Sequence, residues 1–124
     1  MVNVEGSATD AELIRPGAGG TLAHTNHYLS ERMLPYEGDV AYARHSDVRY
    51  RRALHWLAPG QVTARSLRAA LSDHENAPDS ICRHPEYGSQ SKTIFWCIAD
   101  VTESTVTYGR GNPCNSQEQR YEFG

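Results

Sequence analysis

Residues 93–101 read Thr-Ile-Phe-Trp-Cys-Ile-Ala-Asp-Val, with apolar side chains on both alternating faces of the run. A strand that is apolar on both faces is covered on both sides, as in the middle of a layered sandwich. The segment therefore predicts a doubly covered strand, with Cys97 buried in it. Thr102-Glu103-Ser104 reads as a turn into a second strand over 105–109, which makes a hairpin. Gly111-Asn112-Pro113 ends the hairpin, and the tail to Gly124 is polar apart from Tyr121 and Phe123.

Upstream of this strand the periodicity changes to helical. Thr63 reads as an N-cap, followed by a stripe of Leu67, Ala70, Leu71 and His74. Ser46 reads as the N-cap of an earlier helix to about residue 57, with Tyr50, Ala53, Leu54 and Leu57 at i, i+3, i+4 and i+7. Pro59-Gly60 separates the two helices, and residues 30–45 show no period. Residues 21–29 alternate as a strand, with Leu22, His24, Asn26 and Tyr28 on one face and Ala23, Thr25, His27 and Leu29 on the other. The first fifteen residues read as a hairpin, turning at Gly6-Ser7-Ala8-Thr9-Asp10. The order β, β, β, α, α, β, β is an α+β class. The chain enters the first hairpin at residue 1 or 2, with no earlier element to cover either edge, which reads as a truncation.

A length of 124 residues bounds the chain to one domain. Its 39% hydrophobic and 22% charged residues, with mean hydropathy −0.62, place it among globular chains on their polar side. A net charge of −3 argues against a general electrostatic grip on nucleic acid. No apolar run approaches the length that spans a bilayer, and the opening MVNVEGSATD lacks the basic and apolar regions of a secretory signal. The expected compartment is the cytoplasm, with neither membrane nor nucleic acid as a partner. Cys82, Cys97 and Cys114 are odd in number and widely spaced, which fits neither a disulfide framework nor a paired zinc motif, so reduced thiols are expected.

Three constellations invite chemistry. His24 and His27 with Asp73-His74 and Cys82-Arg83-His84 hold metal-ligating side chains. If residues 21–29 form a strand, however, His24 and His27 point to opposite faces and do not converge on one ion. No metal site is assigned, and hydrogen-bonded or solvated histidines are the expectation. Asp73-His74 invites a hydrolase triad, but a helix C-terminus holding an imidazole explains the pair more simply. Arg44, Arg49, Arg51 and Arg52 form a basic cluster that reads as a solvated helix face before it reads as a phosphate site.

The segments Asn3-Val4-Glu5-Gly6-Ser7, His24-Thr25-Asn26-His27-Tyr28-Leu29, Ser46 with its arginine-rich helix, Ser72-Asp73-His74, Ser80-Ile81-Cys82-Arg83-His84 and Gly111-Asn112-Pro113-Cys114 follow one another in this order. As an ordered set they resemble the C-terminal part of the acyl-coenzyme A:6-aminopenicillanic acid acyltransferase family. Those proteins are cysteine N-terminal nucleophile hydrolases, related to choloylglycine hydrolase and penicillin V acylase. The resemblance implies a four-layer αββα sandwich. It also implies a mechanism, in which autocatalytic cleavage exposes a first-residue cysteine whose own α-amine acts as base. The thiol attacks an amide or thioester carbonyl, and the acyl group then passes to water or an amine. By the same resemblance Asn26 donates to the oxyanion and Arg83 is the active-site arginine. His24 shares the side of Asn26 without an assigned role.

The family's nucleophile lies upstream of the residues that match here. Cys82, Cys97 and Cys114 do not replace it, because none presents a free α-amine. Residues 1–124 are therefore expected to form a single partial domain: the C-terminal segment of an acyltransferase or linear-amide C–N hydrolase that acts through a cysteine acyl-enzyme. The segment supplies Asn26 and Arg83, lacks the nucleophile and is inactive alone. The implied partners are an acyl donor, amide or acyl thioester, and an upstream half of the same enzyme or a second copy of the chain; no cofactor is expected. Two other classes compete, a non-catalytic binding module built on the half-sandwich and a metal-dependent hydrolase built on the histidines.

Overall fold

The computed structural model describes residues 2–58 and 62–124. They fall in two compact units, divided between residues 60 and 61, and each is taken by itself.

The first unit opens with the expected hairpin, β1 (Asn3–Gly6) and β2 (Ala11–Ile14), antiparallel with Asn3 opposite Ile14. Its turn is closed by Ser7, whose N–H donates to the Asp10 carbonyl at 2.8 Å while its hydroxyl accepts from the Asp10 N–H at 3.0 Å. The Arg32 guanidinium, at 2.6 and 3.0 Å from the two carboxylate oxygens of Asp10, holds that carboxyl below its ordinary range. Helix α1 (Val40–Leu57) starts six residues before the expected Ser46. Asp39 caps it, accepting from the Tyr42 N–H at 2.9 Å, and Ser46 is a fully buried residue inside the helix. The early start escaped the sequence because the side of α1 that is buried carries Ser46 and Arg49, polar residues that no apolar stripe includes. The Pro59-Gly60 break lies outside the described residues.

Residues 21–29 do not form the expected strand. Three of their N–H groups go to side chains instead: Asn26 to the Ser46 hydroxyl, Tyr28 to the Glu37 carboxylate and Leu29 to the Glu5 carboxylate. A strand needs those groups for a neighbouring strand.

In the second unit helix α2 (Ala64–Leu71) begins at Thr63 as expected, with a reciprocal capping box in which Thr63 and Ser66 bond each other's backbone N–H. Strands β3 (Phe95–Asp100), β4 (Thr105–Arg110) and β5 (Gln119–Glu122) form an antiparallel sheet in that order. Helix α2 packs on β3, where the Arg68 guanidinium lies 3.6 Å from the centre of the Trp96 ring. The Trp96 indole N–H donates to the Ser116 hydroxyl at 2.8 Å. Gly109, opposite Trp96, has no room for a side chain: a Cβ there would lie 2.6 Å from the indole nitrogen and 2.8 Å from the Gln117 carbonyl oxygen.

Strand β3 is covered on one face only. Trp96 is buried, whereas Phe95, Cys97 and Ala99 on the alternate face are exposed. This corrects both the doubly covered strand and the buried Cys97, since one helix covers one face of a three-stranded sheet. The arrangement is mixed α and β, consistent with an α+β class. Among the described residues no helix is long and apolar enough to cross a membrane.

Candidate functional site

The site of the first unit is the loop through residues 24–30, which is built by side chains reaching it from three directions. Glu5, almost wholly buried on β1, accepts from the backbone N–H groups of Leu29 and, at 3.0 Å, Ser30. The same carboxylate meets His24 Nε2 at 2.8 Å, and His24 Nδ1 lies 2.6 Å from the Thr25 carbonyl oxygen. Both partners are acceptors, so a ring that makes both bonds donates from both nitrogens. Burial pushes the Glu5 carboxyl up, but the N–H groups of Ser30 and Leu29 together with His24 outweigh it and hold the carboxyl below its ordinary value.

Helix α1 supplies the second support. Ser46 Oγ accepts the Asn26 N–H at 2.7 Å and lies 2.9 Å from His27 Nδ1, while the Thr25 hydroxyl donates to the Ser46 carbonyl at 3.2 Å. One turn on, buried Arg49 donates to Asn26 Oδ1 at 3.2 Å and to the His45 carbonyl at 3.0 Å. A guanidinium only donates, so it selects the oxygen of the Asn26 amide and leaves the NH₂ on the opposite side. The third support is Glu37, whose carboxylate accepts the Tyr28 N–H at 2.9 Å. These residues border a cleft of about 430 Å³ lined by Glu5, His24, Asn26, His27, Tyr28 and Glu37.

His24, Asn26 and His27 all line one cleft. The expectation that His24 and His27 point apart rested on the strand that does not form. Of the arginine cluster, Arg51 pairs with Asp47 at 2.7 Å and Arg52 lies 5.8 Å from the Trp56 ring, as a helix face would have it. Arg49 departs from that reading. Neither its burial nor the buried Ser46 was visible in the sequence, where a charged residue on a helix reads as solvated.

Ser46 and His27 together resemble a nucleophile and its base, but Ser46 is fully buried and its oxygen already accepts a backbone N–H. Its work is to hold the loop.

Arg83 belongs to the second unit. Its Nε donates to the buried Ser89 hydroxyl at 3.0 Å, and its N–H donates to Thr93 Oγ1 at 3.0 Å. The next residues on either side of it join a tight cluster. His84 Nε2 lies 3.2 Å from His74 Nε2, 3.4 Å from Cys82 Sγ and 3.2 Å from Cys114 Sγ. The two sulfurs are 3.7 Å apart. Burial, and then the neighbouring Cys82, pushes the Cys114 thiol above its ordinary value. The Asp73 carboxylate accepts from the Glu75 N–H at 2.7 Å, while His74 is turned to His84 and packs against the Tyr87 ring. Sequence reasoning named His74, Cys82 and His84 but left out Cys114, which comes from 30 positions beyond His84.

A family model described as acyl-coenzyme A:6-aminopenicillanic acid acyl-transferase matches residues 1–115. A search of curated proteins finds no match. The matched span takes in the cleft loop, Arg49, Arg83 and the histidine–cysteine cluster, so that the chain belongs to the acyl-coenzyme A:6-aminopenicillanic acid acyl-transferase family.

Proposed function

We propose that the chain serves acyl transfer or linear-amide hydrolysis through a cysteine acyl-enzyme, with Asn26 as an oxyanion donor. The observation that carries this reading is the fixed orientation of the Asn26 amide at the cleft, held by Arg49 through its oxygen and by Ser46 through its backbone. In the proposed reaction a thiolate adds to an amide or thioester carbonyl, and the carbonyl oxygen takes up the negative charge beside the Asn26 NH₂. Collapse expels the amine or thiol and leaves the acyl-enzyme, which water or an amine then discharges. A donor oriented before the reaction needs no rearrangement as charge develops. Arg83, whose Nε donates to Ser89, is the second residue that the family resemblance carries over.

The nucleophile in this reading is a cysteine outside these residues, delivered as the first residue of a processed chain. Cys82 and Cys114 are both engaged with His84, and Cys97 lies inside β3. The exposed face of β3, with Phe95 on it, supports a sandwich whose further layer other strands provide.

The test is a turnover assay with penicillin V, an acyl-homoserine lactone, and an acyl-coenzyme A plus amine. The 124-residue chain alone is expected to be inactive, and co-expression with an upstream segment carrying the nucleophile is expected to give turnover. In that assembly Asn26→Ala is expected to lower kcat by about 10²–10³-fold with little change in KM. Robust turnover by the chain alone, or full activity of the Asn26→Ala assembly, overturns the reading.

A further inference from the structure

We propose that His74, Cys82, His84 and Cys114 bind one zinc ion in a closed structural site that clamps the second unit. The four ligand atoms, two imidazole nitrogens and two sulfurs, all lie within 4.8 Å of one another. Zinc takes such a set tetrahedrally, with Zn–S of about 2.3 Å and Zn–N of about 2.0–2.1 Å. Those bond lengths set the edges of the tetrahedron at about 3.8 Å between sulfurs, about 3.3 Å between nitrogens and about 3.6 Å between nitrogen and sulfur. The observed separations are 3.7 Å for Cys82–Cys114, 3.2 Å for His74–His84, and 3.4 and 3.2 Å from His84 to the two sulfurs. The sulfurs are far beyond the disulfide bond length of about 2.05 Å.

Hydrogen bonding alone explains this arrangement poorly. The Glu86 carboxylate lies 2.9 Å from His84 Nδ1 and can only accept, so it fixes the proton there. A neutral His84 ring then offers a single lone pair at Nε2. Three heteroatoms crowd that one lone pair, and they cannot all donate to it. A cation at the centre satisfies all four ligands at once. The Glu86–His84 pair is the carboxylate–imidazole arrangement that orients zinc-binding histidines. Asn112 adds an outer contact, donating to Cys82 Sγ at 3.4 Å and to the Arg83 carbonyl at 2.8 Å.

Charge also balances. Binding displaces the two thiol protons, and two thiolates with two neutral imidazoles cancel the charge of a divalent ion. Four protein ligands leave no open position for water or substrate, which marks the site as structural and separates it from the metal-dependent hydrolase. The ligands come from the segment after α2, from residues 80–84 and from the turn after β4, so that one ion ties three irregular stretches together. The need is plain in the packing: within this unit the buried apolar side chains among the described residues are Cys82, Trp96 and Pro113. Small units with so little apolar core are commonly stapled by a metal.

The proposal is tested on the chain expressed in zinc-supplemented medium and purified without a metal-affinity step. Mass-spectrometric metal analysis is expected to find about one zinc per chain, and X-ray absorption about two sulfur and two nitrogen neighbours at the distances above. His84→Ala and Cys114→Ser are expected to lower the zinc content to under about a tenth of the parent value, while Cys97→Ser retains it in full. As a readout independent of the folding of the ligand variants, cobalt(II) is also added to the metal-free parent chain, where tetrahedral d–d bands with sulfur-to-cobalt charge transfer are expected. Absence of stoichiometric zinc with no such cobalt spectrum, zinc undiminished in the ligand variants, or an intact mass showing a Cys82–Cys114 disulfide overturns the proposal. None of these outcomes depends on acyl transfer.

Discussion

Arg49 and Glu5 are residues on which the cleft loop depends, Arg49 buried against Asn26 and Glu5 also lining the cleft. Arg49 keeps the Asn26 oxygen turned inward. Its replacement by Met preserves the apolar stem but removes the donors, which frees the amide to rotate. In the proposed assembly with an upstream segment Arg49→Met is expected to lower kcat by roughly 10- to 100-fold, since small misplacements of a catalytic group have effects of that order. Arg49→Lys is expected to recover part of the loss, a partial rescue that simple loss of packing does not predict. Steady-state kinetics of the two variants, with KM reported beside kcat, checks this. Glu5→Gln leaves a buried amide NH₂ facing a backbone N–H, and one unmet donor of that kind is worth about 1–3 kcal/mol. Chemical denaturation of the parent and variant chains measures it. Asn26 entered the reading because the resemblance gives it a role. Glu5 and Ser46 stand in segments that carry the same resemblance, and Arg49 in the helix after Ser46, but their support of the loop was not legible, because their partners lie 19 to 25 positions away and nothing local announces such a contact.

Elements whose cause is local were the ones read correctly. The β1–β2 turn and the β3–β4 hairpin follow from turn chemistry, and the start of α2 follows from Thr63 and Ser66. Residues 21–29 alternate in polarity, but alternation describes where side chains point and is silent on where the N–H groups go. Strand β5 was passed over because Gln119-Arg120-Tyr121-Glu122 offers no apolar face, all four residues being exposed. It is held by pairing with β4. At this scale the Gly109 contact is the sharpest constraint. Gly109→Ala puts a methyl against both the Trp96 indole and the Gln117 backbone, and only the first of these is a side chain. Overpacking of this kind is expected to destabilise the second unit by about 1–3 kcal/mol. A denaturant titration followed by Trp96 fluorescence checks it, with Trp56 replaced by Phe to remove the other indole.

For the whole molecule, acid acts on the first unit through a buried carboxyl. The Glu5 carboxyl has a depressed value in the folded first unit. Its contribution to stability is therefore complete above the ordinary carboxylate value of about 4.3 and is lost as the pH falls through the depressed value. The amide signals of Leu29 and Ser30 are expected to report that loss in NMR spectra recorded at falling pH, and Glu5→Gln is expected to remove it. A parent chain whose first-unit signals ignore the titration contradicts this account. One more consequence follows from the way the cleft loop is held. Most turns carry their own instructions, so a copy grafted elsewhere keeps its shape. This loop borrows its shape from Glu5, Glu37, Ser46 and Arg49, spread over a strand, a connecting segment and a helix. Its tolerance of sequence drift is thus set by its supports: a relative can vary wall residues that hold none of the loop's N–H groups, such as Tyr36, but Glu5, Glu37, Ser46 and Arg49 must be inherited together.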